Sequence, residues 1–144
     1  MKHLISLAML GLMTGSAPAQ TIRVGVFNKP TVVVAYYQSP IWAETMKAKR
    51  AEQQEAKKAN DPKKLEELEK WGQAHQERAH QQLAGEASID DIVAALAPAL
   101  PEIANKAKVS IIATDLPYAG PSVEKLDVTD LLVDWLKANG RRQP

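Results

Sequence analysis

Residues Ile41–Leu83 read IWAETMKAKRAEQQEAKKANDPKKLEELEKWGQAHQERAHQQL. About half of the chain's charged residues fall in this stretch, interleaved with Gln and Ala and almost without large apolar side chains. Pro62 has no amide hydrogen and its ring clashes with a preceding helical turn, so a first helix must stop before it. Asp61 is then placed as the N-cap of a return helix whose first residue is Pro62. Lys63/Glu67 and Glu66/Lys70 are spaced to meet on one face of that helix. Neither helix carries an apolar stripe wide enough to lie on a globular core. The stretch therefore predicts a two-helix hairpin that projects as an arm, the first helix spanning roughly 28 Å. Its seam would run through Trp42, Thr45 and Met46 at the root, then Ala48, Ala51, Ala56 and Ala59. It would return through Leu65, Leu68, Gly72, His75, Ala79 and Gln82. These are mostly small or polar groups, which predicts a mobile coiled coil.

The flanks must build the body that carries this arm. Residues 1–19 read as a cleavable secretory signal, with Lys2 as the basic start, an apolar run from Leu4 to Met13, and Ala17-Pro18-Ala19 as the cleavage site. That run is too short for a bilayer core of about 30 Å. Cleavage after Ala19 predicts an exported, periplasmic protein. The 144 residues contain 18 basic and 17 acidic side chains. Lys2 leaves with the signal, so the mature chain is near neutral and has no global steering toward nucleic acid. It has no cysteine, which excludes a disulfide framework.

Ile22–Phe27 alternates and is rich in β-branched residues, a strand pattern. Thr31–Tyr37 supports two readings: its valines favour a strand, while Pro30 ahead of it permits a short helix. Ser88, with Asp91 three residues on, reads as an acidic capping box. It opens an amphipathic run (Ile89, Ile92, Val93, Leu96, Leu100, Ile103) that Pro98 and Pro101 should break. Val109–Ala113 reads as a buried strand, Val123–Leu126 as a short edge strand, and Asp127 as the cap of a closing helix through Leu132 and Leu136. Two or three short strands and two helix faces make a thin core, and open strand edges invite a second copy. The fold class is α+β, a small sheet body with a protruding helical hairpin. Residues 20–40 and 84–144 form the body and 41–83 the arm.

In this order the elements resemble the Skp/OmpH family of periplasmic chaperones. The resemblance rests on a signal followed by IRVGVFN, a segment closing on QSP before a charged hairpin, the strand VSIIATD, and the ending YAG…VEKLDVTDLLVDWLK. It spans the mature chain, and the arm is short by the family's standards. It implies that Thr31–Gln38 is helical and that three copies pool their strands into one barrel, their arms enclosing a cavity. It further implies an ATP-independent holdase for unfolded outer-membrane proteins, with no cofactor. A structural or adaptor protein of the envelope, holding one folded partner, is the alternative.

Trp42, Met46 and Trp71 are the large apolar groups of the arm. They read either as packing at its root or as a soft client-contacting surface. Lys57, Lys58, Lys63 and Lys64 cluster at the tip, as a solvated helix end or as a basic patch for lipid headgroups and acidic client segments. Lys63 and Lys64 sit where the helix dipole disfavours cations. His75 and His80 are five apart and face different directions, so no metal site is expected. Asp90-Asp91 and Glu66-Glu67 are sequence neighbours that do not converge as a catalytic pair requires. No enzyme activity is expected.

Overall fold

A computed structural model describes residues 21–138. The signal and cleavage site expected at 1–19 lie outside the described residues. The elements follow in the order β1 (Ile22–Val26), α1 (Lys29–Tyr37), α2 (Pro40–Lys58), α3 (Pro62–Ala84), α4 (Asp90–Leu96), α5 (Leu100–Ala107), β2 (Ile111–Ala113), β3 (Val123–Asp127) and α6 (Thr129–Ala138). The fold is α+β.

The sheet order is β2-β1-β3, and both outer strands run parallel to β1. Val24 stands beside Ile111 on one side and Lys125 on the other. One sheet face meets the helices. A Cβ on Gly25 would lie 3.1 Å from Val128 Cγ1 and 3.3 Å from Ile112 Cγ1, so these two side chains crowd the space that a larger residue would take. The core gathers Val32 and Val33 of α1, Ile92 and Leu96 of α4, Ile103 of α5, and Leu132 and Leu136 of α6. The other face carries Ile22, Val24 and Ile111, and Val24 stands outside that core cluster. Ile22 is 49% exposed and Ile111 53%. Val109–Ala113 was expected as a buried strand; only its last three residues form β2, and Ile111 is half exposed beside the buried Val24.

Thr31–Tyr37 is helical. The Asn28 side chain accepts from the Thr31 amide at 3.0 Å and Pro30 follows the cap. Val32, Val33 and Ala35 are buried, so the β-branched run meets tertiary contacts that favour helix over its strand propensity. The proline-rich run breaks where expected, into α4 and α5. The capping box does not close. Ile89 occupies the N-cap of α4, and the Ser88 hydroxyl accepts instead from the Asp90 amide at 3.1 Å. Asp127, expected as the cap of the closing helix, ends β3 instead; like Ser88, it accepts from the first amide of the helix that follows, that of Thr129, at 2.8 Å. The Thr129 hydroxyl first, and this amide second, hold the Asp127 carboxyl below its usual range.

Candidate functional site: an aromatic cleft at the hairpin root

Helices α2 and α3 form the hairpin. Asp61 accepts from the Lys64 amide at 3.0 Å, with Pro62 directly behind it. Asn60 takes the left-handed conformation at φ 52°, which Asn tolerates at a helix end. The Asp61 amide then reaches back to the Ala56 carbonyl at 3.0 Å. At the far end Gly85, φ 78°, stops α3. Between Lys47 and Arg78 only Ala56 and Leu68 are buried, so this part of the hairpin stands largely in solvent.

The seam differs from the expected one. Ala48, Ala51 and Ala59 are exposed, while Lys49 and Glu52 turn toward α3 and are half-buried. Trp42, Thr45, Lys49, Glu52 and Ala56 keep an alternating spacing of three and four, the helix period itself. Lys49 meets Glu52 at 2.8 Å, and Lys64 of α3 reaches Glu52 and Glu67, each at 3.6 Å. The Lys49 hydrogen bond, and then the charges of Lys49 and Lys64, hold the Glu52 carboxyl below its ordinary value against the opposing effect of desolvation. Solvent screens such pairs, so they set register more than they stabilise.

At the root the structure brings Trp42, Met46 and Trp71 together. The Trp42 and Trp71 rings are nearly parallel, 16° apart with centroids at 6.2 Å. Tyr37 of α1 stands edge-on to Trp42 at 5.0 Å. His75 lies 4.1 Å from Trp71 and 5.9 Å from Trp42. Its Nδ1 is 2.9 Å from the Trp71 carbonyl; a carbonyl only accepts, so Nδ1 carries the proton and the ring is fixed in that orientation. Beside these rings opens a cleft of about 350 Å³, walled by Tyr37, Trp42 and Met46 on one side and by Trp71, Gly72, His75, Gln76 and Ala79 on the other. A second cleft of about 130 Å³ adjoins it and shares Met46, Trp71 and Gly72; Lys49, Arg50, Gln53 and Leu68 complete its lining. Lys49 Nζ sits over the Trp71 ring, 5.4 Å from its centroid.

Comparison with protein-family models, with curated proteins and with solved structures finds no match.

A polar cluster at the base of this cleft escaped the sequence reading. Gln82 is 1% exposed. It accepts from the Tyr37 hydroxyl at 2.8 Å, and its amide donates to the Ser88 carbonyl at 2.9 Å and to Asp91 at 2.8 Å. Arg78 donates to the other Asp91 oxygen at 3.2 Å. One buried amide thus ties α3 to α1 and to the segment entering α4. Desolvation pushes the Asp91 carboxyl up, but the Arg78 hydrogen bond and charge, the Ile92 amide and Gln82 outweigh it and leave it below the usual range. Burial first, and the Asp91 charge second, push the Tyr36 and Tyr37 hydroxyls above theirs. The signal was present in Asp91, which would have had to choose between a capping box and this network.

At the tip Lys58 pairs with Glu55 at 2.8 Å and Lys64 with Glu52 and Glu67. Lys57 and Lys63 have no ionic partner among the described residues. Two of the four tip cations are thus left uncompensated. Among the described residues no group of three or more His, Cys, Asp and Glu could hold a metal ion.

Proposed function

We propose that this chain is one subunit of an ATP-independent holdase that keeps unfolded outer-membrane proteins soluble in the periplasm. The observation that supports it best is a solvent-standing hairpin whose root opens into an aromatic cleft. An unfolded chain presents scattered apolar side chains, and polarizable Trp and Met walls accept many shapes without a dedicated fit. The sheet supports the accompanying assembly: among the described residues both outer edges are unpaired, and one face leaves Ile22 and Ile111 half exposed. Three sister copies pooling their strands into a barrel would cover those edges and place several hairpins around one client. Lys57 and Lys63 then point from the arm ends toward acidic client segments or lipid headgroups.

The test is aggregation. The mature chain should hold several unrelated unfolded outer-membrane proteins in solution at stoichiometric ratios, without nucleotide, and light scattering should report three copies. A variant in which residues 51–68 are replaced by a short Gly-Ser turn should remain assembled and lose protection. Saturable binding of one folded partner with no protection of unfolded ones would favour an envelope adaptor instead.

A further inference from the structure

We propose that the joined clefts around Trp71 form a subsite for an extended peptide segment that carries an aromatic side chain beside a carboxylate. The inference rests on the holdase reading and gives it a preference among client segments. Three observations carry it.

The first is the lining. In a hairpin crowded with glutamates, no acidic residue lines either cleft. Lys49, which meets Glu52 at 2.8 Å, and Arg50 stand at the smaller one; Arg50 has no ionic partner among the described residues and supplies the uncompensated charge. Positive charge beside aromatic walls disfavours a cationic guest and suits an anionic one.

The second is Gly72. It lies inside α3, where glycine weakens a helix relative to alanine. A Cβ there would meet nothing within 4 Å, so packing does not require its absence. Its missing side chain does leave open the wall that both clefts share. Space, rather than helix stability, is what this position provides.

The third is spacing. Lys49 Nζ is 5.4 Å from the centre of the Trp71 ring. In an extended chain side chains two residues apart sit roughly 6.5–7 Å apart on one face. Because the two clefts share Met46, Trp71 and Gly72, a ring seated in the larger one leaves a carboxylate two positions away to be met at the smaller one, where Arg50 stands. The larger cleft, about 350 Å³, is of a size that accepts small ligands.

The probe is intrinsic tryptophan fluorescence of the mature chain, titrated with capped ten-residue Gly-Ser peptides that differ only in a central triplet. Phe-Ser-Glu should bind most tightly. Leu-Ser-Glu should bind about three- to ten-fold more weakly, the stacking contribution of one ring pair, and Phe-Ser-Lys should bind more weakly still. Gly72→Leu should fill the groove and abolish binding while the melting temperature holds or rises, a combination that a damaged fold cannot produce. Arg50→Glu should move the preference toward Phe-Ser-Lys. Equal binding of all peptides, or full binding by Gly72→Leu, overturns the subsite. Aggregation of an unfolded outer-membrane protein is measured alongside. Protection without peptide preference removes the subsite and leaves the holdase; peptide binding without protection removes the holdase and leaves the subsite.

Discussion

Replacing Gln82 by alanine should loosen the hairpin from the body. The side chain is 1% exposed and makes hydrogen bonds to Tyr37, Ser88 and Asp91. Each such bond contributes about 1 kcal/mol net, and a partner left buried without one costs about 1–3 kcal/mol. Tyr37 is partly exposed and Asp91 keeps Arg78, so water and the arginine recover part of the loss. A destabilisation of about 2–3 kcal/mol follows. For a domain of this size it lowers the melting temperature by about 10 °C, at roughly 4 °C per kcal/mol. Tyr37→Phe removes one bond and should cost about 1 kcal/mol. The two changes should not add: in a double-mutant cycle read by circular dichroism melts, the coupling should be on the order of 1 kcal/mol. Coupling within about 0.3 kcal/mol of zero, with an unchanged melting temperature for Gln82→Ala, would refute the anchoring role.

Asp91 gives a pH signature. Its carboxyl is held below the ordinary aspartate range in the fold, against desolvation, by Arg78, the Ile92 amide and Gln82, so the stability it contributes is present above the unfolded-chain value, near 3.9. It is lost as the pH falls through the folded-state value. The melting difference between the native chain and Asp91→Asn should shrink as the pH falls below about 4; a difference that stays constant on acidification contradicts the Arg78–Asp91–Gln82 account. Gly72→Ala should stabilise the hairpin by about 0.8–1 kcal/mol, visible as a higher melting temperature, and a lower one would mean that the Cβ meets an obstacle. Ile111→Glu should leave the far-ultraviolet spectrum of the subunit intact and lower the native mass in light scattering; an unchanged mass would remove the sheet face from the assembly.

Much of the hairpin was legible because its determinants are local. Pro62 ends one helix and starts the next, and Asp61 can cap only in that order. The seam was harder. Sequence reading sought small apolar side chains and chose Ala48 and Ala51; the helix period selects Lys49 and Glu52, whose charges are satisfied by each other and by Lys64 across the hairpin. That error concealed the aromatic cleft, since Trp42 and Trp71 meet only when the register is right. Thr31–Tyr37 illustrates a different limit. Three consecutive valines favour a strand in isolation, and only the helix layer around Val32 and Val33 makes helix the better state. Strand order was beyond reach for a related reason: nothing local in β1 says that it lies between β2 and β3.

That central position has a consequence for how the chain comes together. Of the described strands, the first along the chain is the one that needs both others. Arg23 bonds the Lys108 carbonyl 85 residues away and Glu124 101 residues away. The hairpin closes through neighbours and can form early, whereas the sheet must await β3, which ends at Asp127, and such distant pairings are slow to find. Until then Ile22–Phe27 is an apolar strand with no companion, exposed to the same hazard of wrong association from which the proposed holdase would shield its clients.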